Sequence, residues 1–181
     1  LGGVELQLTA FDNRVNGAIA NVTIAPNLRE RRNVDAVRAR GIEAAGKVTL
    51  GPVQWDGTLS LVDAKVEGSG ASLALNGKRP AQVPVFAAST TLTWRPAEGW
   101  QFTATLRHVS SQFEDDLGVD RLPAMTTLDA WATVPLGSRS ALIFRVENLT
   151  GERIVTRSQG ASIDLGTPRT VWAGLRLSIG R

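Results

Sequence analysis

"TLTWRPAEGWQFTATLR", Thr91 to Arg107, is the stretch on which the fold turns. Before its "PAEG" turn, Phe86, Ala88, Thr90, Leu92 and Trp94 alternate with Ala87, Ser89, Thr91 and Thr93. After it, Trp100, Phe102, Ala104 and Leu106 alternate with Gln101, Thr103, Thr105 and Arg107. A period of two marks a strand with one apolar and one polar face, and a tight Pro/Gly turn between two such runs marks a hairpin. Trp94 closes the first strand and Trp100 opens the second, both in the apolar register and next to the turn. A soluble sandwich places Trp mid-strand, in its core. At strand ends on an apolar face, tryptophans suit the interface between lipid and water.

The same period recurs along the chain. Val4 to Ala10, Ile42 to Leu50, Val53 to Leu61, Leu128 to Leu136, Leu142 to Val146 and Val171 to Ile179 each alternate apolar with polar residues. Together these runs give roughly eight strands of about 9–13 residues, longer than the 5–6 of an ordinary sheet and close to the 9–11 that cross a bilayer when tilted. Trp55 opens its strand just after the "GP" turn and joins Trp94 and Trp100 as an expected interfacial belt. The connections alternate in length. "GP" (51–52), "PAEG" (96–99) and "GSRS" (137–140) are tight, whereas 16–40, 64–85, 111–124 and 150–170 are long. Short turns at one end and long loops at the other are the pattern of an outer-membrane barrel. The charged run "NLRERRNVDAVRAR" (27–40) lacks an apolar stripe and reads as loop with the start of a strand. The face opposite the apolar one carries Glu5, Glu43, Lys47, Asp56, Arg107, Asp129, Arg145, Glu147 and Arg176, which suits a wide, wet interior better than a tight one. Period alone also admits a secreted sandwich.

Composition narrows the function classes. The 181 residues suffice for one domain. A charge of +3, from 20 Lys and Arg against 17 Asp and Glu, gives no argument for nucleic acid. The absence of Cys removes disulfides and thiol chemistry, and a single His removes a His-rich metal cluster. No apolar run reaches the roughly 18 residues of a spanning helix. The start at Leu1 suggests a processed product or a piece of something longer.

Several motifs, in order, resemble the β-barrel of TonB-dependent outer-membrane receptors. They are "LQLTAFDNRVNGAIANVTI" (6–24), "NVDAVRARGIEAAGKVTL" (33–50), "KRPAQVPVFAASTTLTW" with Pro84, "VENLTGERI" with Asn148 and Leu149, and "GTPRTVWAGLRLSI" with Gly166, Pro168, Arg169 and Thr170. The resemblance covers nearly the whole chain. It implies an all-β, antiparallel transmembrane segment of about eight strands: residues 1–181 as the C-terminal arc of a 22-stranded barrel, without its plug or TonB box. The last strand would be closed by a first strand that lies outside this sequence, so the sheet is expected open, with its first and last strands as free edges. The implied location is the outer membrane of a Gram-negative bacterium. The implied partners are the rest of the barrel and the plug, the TonB complex, outer-membrane lipid, and a ferric siderophore or similar small ligand. No cofactor, metal or catalytic residue is implied. The family commonly ends on an aromatic residue, whereas this sequence ends Ile179-Gly180-Arg181.

Candidate sites are few. Arg29, Arg31 and Arg32, followed by Arg38 and Arg40, could attract an anionic ligand or lipopolysaccharide phosphates, against the plainer reading of a charged loop. "FEDDLGVD" (113–120) gathers Glu114, Asp115, Asp116 and Asp120. Such oxygens can bind calcium, but the spacing fits a solvated outer loop better. His108 falls in the outward register near the loop end of its strand. No nucleophile elbow or phosphate-cradling Gly loop is present. A transport receptor, a small barrel hydrolase and a self-closed structural barrel are therefore the readings to separate. A ladder between Val4–Ala10 and Val171–Ile179 would mark the self-closed barrel.

Overall fold

The computed structural model describes residues 2–25, 28–159 and 162–179. β1 (Gly3–Asn16) leads into the hairpin of β2 (Ile19–Ala25) and β3 (Leu28–Asn33). β4 (Ala36–Leu50) and β5 (Val53–Glu67) follow, then a 3-10 turn (Gly70–Leu75), β6 (Phe86–Trp94) and β7 (Gln101–Val109). β8 (Gln112–Phe113) and β9 (Arg121–Leu122) form a small loop ladder before β10 (Met125–Gly137) and β11 (Ser140–Glu147). The hairpin of β12 (Val155–Gln159) and β13 (Ser162–Leu165) precedes β14 (Thr170–Leu177). The last residues of the chain, Gly180 and Arg181, lie outside the described residues, and with them the expectation about its non-aromatic end.

Eight strands form one antiparallel sheet in the order β1-β4-β5-β6-β7-β10-β11-β14. β1 pairs only with β4 and β14 only with β11, so the described sheet is open and these are its two edges. The self-closed small barrel is thereby corrected: no ladder joins β1 to β14 among the described residues.

The turns explain why the chain reverses where it does. Gly51 occupies φ +56 between β4 and β5, a left-handed conformation that a side chain disfavours. Asn148 holds φ +50 at the end of β11, where its side chain is spent entirely on the loop root. Its Oδ1 accepts from Glu152 N at 2.8 Å, and its Nδ2 donates to Glu152 O at 2.8 Å and Thr167 O at 3.2 Å. That accounts for the "ENL" motif as a strand terminator.

Where the sequence reads as irregular loop, the structure holds more strand. Residues 19–25 and 28–33 form the β2–β3 hairpin rather than loop, and β4 and β5 each run 15 residues. β5 continues through Asp63, Lys65 and Glu67 because its polarity inverts without breaking the period. The register that is apolar up to Leu61 becomes charged. The register that holds Thr58 and Ser60 becomes Val62, Ala64 and Val66, of which the last two are buried. These side chains meet the outer loops. Val22, Val34, Val66 and Leu75 form a core there, flanked by Ala18, Ala20, Val37 and Leu117.

Candidate functional site

The ladder registers sort the sheet into two faces. On one, successive rungs read Leu50–Val53–Trp94–Phe102, then Val48–Trp55–Leu92–Ala104, Gly46–Gly57–Thr90–Leu106, Ala44–Leu59–Ala88–His108 and Ile42–Leu61–Phe86. β10, β11 and β14 continue it with Leu128, Ala130, Ala132, Phe144, Val146, Val171, Ala173 and Leu175. From Val53 to Leu61 this band spans nine residues, about 27 Å along the strand, comparable with the apolar girdle of a membrane barrel. Nothing among the described residues covers it: Leu6 and Leu8 are 77% and 75% exposed. A sheet normally buries its apolar face against a second layer. A bare apolar face spanning eight strands far exceeds the patches that soluble monomers tolerate, so its medium is apolar.

The opposite face is polar and bonded within itself. Thr91 and Thr105 share a hydrogen bond at 2.9 Å, as do Thr93 and Thr103 at 3.2 Å. Gln54 donates to Asp56 at 2.6 Å, Arg107 pairs with Asp129, and Arg145 pairs with Glu147 at 2.5 Å. Arg107, Arg145, Glu147 and Arg176 all fall in this register, as their spacing in the sequence implies. The Arg145 guanidinium also lies 5.9 Å from the Trp131 ring, and Trp172 faces Arg145 across the ladder. This Trp131–Arg145–Trp172 row lies outside the expected tryptophan belt, although all three parities are readable.

The three belt tryptophans share the apolar face but not one rim. Trp94 stacks on Phe102 at 5.5 Å, and Trp100 approaches the same ring at 6.0 Å, so these two meet beside the 95–100 turn. Trp55 instead lies back over the sheet. A Cβ on Gly57 would sit 2.5 Å from its indole, and one on Gly46 3.0 Å, so the glycine pair makes room for the ring. Its Nε1–H donates to Thr90 Oγ1 at 2.7 Å, which satisfies a polar group that lipid would leave bare.

At the loop end, the register turns Arg29 and Arg31 to the side of the β2–β3 hairpin opposite the buried Val22. Both are exposed and carry no ion pair among the described residues, whereas Arg32 pairs with Glu30 at 2.7 Å. Arg38 and Arg40 sit elsewhere, on β4, both on Asp12. The hairpin thus separates two arginine groups that sequence reasoning ran together. The acidic loop is a clasp rather than a solvated tip. Asp116 accepts from Asn21 N at 2.8 Å and from Ala81 N at 3.2 Å, joining three outer segments. Asp115, 5% exposed, accepts from Val119 N and Asp120 N, and Glu114 accepts from Gln82. No cluster of three or more potential metal ligands occurs among the described residues. His108 bonds Thr126 Oγ1 through Nδ1 at 2.8 Å, and its ring lies 5.8 Å from Phe86, on the apolar face.

The family model described as "TonB dependent receptor-like, beta-barrel" matches residues 1–149. No curated protein matches. Solved structures do. The ferric yersiniabactin uptake receptor FyuA from Yersinia pestis superposes with a TM-score of 0.81 at 19% identity, over 96% of this chain and 27% of that one. The siderophore receptor PiuA from Acinetobacter baumannii gives 0.80 at 14% identity, over 96% and 26%. The copper transporter OprC gives 0.74 at 16% identity, over 97% and 28%. The chain therefore spans about a quarter of the length of these proteins.

Proposed function

This chain belongs to the family of TonB-dependent receptor β-barrels, and we propose that it is the C-terminal portion (1–181) of an outer-membrane receptor driving TonB-energised uptake of a scarce ligand such as a ferric siderophore. The family consists of receptors and transporters rather than enzymes. The observation that carries the reading is the open sheet itself: eight strands in chain order, one face with a tall, largely apolar band, the other polar, and two edges unpaired among the described residues. Such an arc needs flanking strands to satisfy its edges, lipid against its apolar face, and a filled or wet interior against the other. The rest of the barrel and the plug supply the first and last of these. The TonB complex acts through the plug side, outside this segment. The protein resides in the outer membrane of a Gram-negative bacterium.

On this reading the long loops face the exterior and meet the ligand first. Arg29 and Arg31, exposed and without ion pairs among the described residues, are the cations placed to attract an anionic metal complex, with Arg32 held beside them by Glu30. Trp94 and Trp100 anchor the periplasmic rim of the band, and Trp55 lies just inside it.

The test uses the full-length receptor in intact Gram-negative cells, with and without TonB. Uptake of radiolabelled iron offered as ferric siderophores should require TonB. Arg29→Ala with Arg31→Ala should weaken ligand capture while the barrel still assembles. Uptake indifferent to TonB would reject the energised-transport reading, and unchanged capture in the double variant would reject the arginine assignment.

A further inference from the structure

Within the span, the arginines of the polar face are matched by carboxylates of the same wall: Arg107 by Asp129 and Arg145 by Glu147. At the short-turn end this matching stops. Arg95, just after β6, and Arg176, near the end of β14, are exposed and carry no ion pair among the described residues. Both fall in the polar register. Arg95 follows Trp94 of the apolar face, and Arg176 shares its rung with Ala141 and Pro135. The two arginines line one cavity of ≈ 450 Å³ together with Glu98, Gln101 and Thr133. Arg176 reaches it over Ala141, whose small side chain is buried on β11.

The neutral polar groups of this cavity are engaged with one another. Gln101 accepts from Arg95 Nε at 3.3 Å and donates to Thr103 Oγ1 at 3.3 Å, which holds the Arg95 guanidinium at its stem and leaves its Nη groups for another acceptor. Thr133 Oγ1 accepts from Trp131 Nε1 at 3.2 Å. Glu98 is the carboxylate of the lining, and it forms no ion pair among the described residues. Two guanidinium groups on one cavity repel each other unless an anion joins them.

We infer that this cavity is a carboxylate site: Arg95 and Arg176 take an acidic side chain from a segment of the same receptor outside these 181 residues, the plug that fills the barrel. The inference rests on the transport reading above. A guanidinium fork suits a carboxylate, which it binds through two parallel N–H donors. Two features favour a protein segment over a diffusible ligand. The cavity lies at the end of the wall opposite the long loops, where a ligand entering between those loops arrives last. The chain also spans about a quarter of the length of its structural relatives, so most of the polypeptide that can face this wall lies outside it. Such a contact fixes the register of that segment against the final strands of the barrel.

The test uses the full-length receptor in isolated outer membranes. Modification of single arginines by phenylglyoxal is followed by mass spectrometry in the wild type. Arg139 is the reference, because it is exposed in the neighbouring short turn and carries no ion pair among the described residues. Arg95 and Arg176 should react roughly fivefold more slowly than Arg139, and ~1 M NaCl should shrink the difference. R176K, treated with a carbodiimide, should become joined through its amine to an acidic residue of the plug, identified by peptide sequencing. Equal rates for the three arginines in the wild type overturn the assignment, even where the variant fails to assemble. Joining to Glu98 or to a second protein overturns it as well. So does slow reaction that appears only once inorganic phosphate is added. TonB-dependent iron uptake, measured in cells making the same receptor, separates the failures. It persists when only the carboxylate site is wrong and is absent when the transport reading is wrong.

Discussion

The span of the sheet and its loop end are stabilised by different means. In the span, the ladder hydrogen bonds join the strands, both faces are open, and the large apolar side chains point outward. At the loop end, Leu75, Val22 and Val66 are within 2% of full burial, and Asp116 joins backbone groups of two other segments. The span borrows its hydrophobic stabilisation from a surrounding medium and its edges from neighbouring strands. The loop end carries a small core of its own. A membrane wall that supports a ligand-facing cap would be divided in this way, because the cap must hold its shape where no lipid reaches.

The most damaging change to this division should be made at the loop core. Leu75→Ala removes a side chain that is 1% exposed and leaves a cavity. A cost of about 2–5 kcal/mol is expected, confined to the cap. Hydrogen exchange on the full-length receptor should show residues 19–25, 28–33 and 70–82 losing protection while β5 to β7 keep theirs. Equal loss in both would show that cap and wall are one cooperative unit.

The second test separates the faces of the wall. Leu59→Arg places a charge at mid-height on the apolar face, where about 2–4 kcal/mol is expected in lipid. Thr58→Arg, one residue away on the polar face, should change stability by no more than about 0.5 kcal/mol. Urea titration of the receptor folded into bilayers reads both. Similar costs for the two substitutions would remove the basis for assigning lipid to one face.

How much of this was legible in the sequence follows the same division. In the wall, period two fixed the register because one medium acts on each face along the whole strand: Trp94, Phe102 and Leu106 sit where their parity puts them. At the loop end two media exchange sides. Beyond Leu61 the same strand shows charge where it had shown leucine, and an apolar pattern search ends there although the ladder runs on to Glu67. The β2–β3 hairpin was hidden for a related reason. Its apolar residues, Val22 foremost, face a core assembled from distant segments, and its arginines make "LRERRN" look like loop. The acidic run "FEDDLGVD" was misread because the backbone amides that Asp116 satisfies lie 95 and 35 residues away in the chain. The tilt of Trp55 away from its rim depends on the pairing of Gly46 with Gly57, which only the register between two strands reveals.

A third test weakens the cap at its clasp instead of its core. Asp116→Ala leaves the amides of Asn21 and Ala81 without their carboxylate. Charge-assisted bonds of this kind are worth about 1.5–3 kcal/mol together with their desolvation. Water can reach the exposed Asn21 amide, so the lower part of that range is expected. Limited proteolysis should then cut first within residues 79–85 or the β2–β3 hairpin. An unchanged cleavage pattern would leave the apolar cluster alone as what holds the outer segments together.

The smallest effect concerns Trp55, the residue at which the wall behaves least like a simple alternating sheet. Its Nε1–H is satisfied by Thr90 two strand positions away on β6, on the apolar face, so the bond matters only if that face is dry. Trp55→Phe and Thr90→Val, made singly and together, isolate the pair. In lipid, polar side-chain pairs of this sort average about 0.6 kcal/mol, and a coupling near that value is expected in bilayers. In a detergent that admits water to the face, the indole and the hydroxyl each have an alternative partner, and the coupling should fall toward zero. A coupling that is absent in bilayers would mean that water or a headgroup already reaches the Gly46–Gly57 rung, and that the apolar band is shorter at its Trp55 end than the ladder suggests.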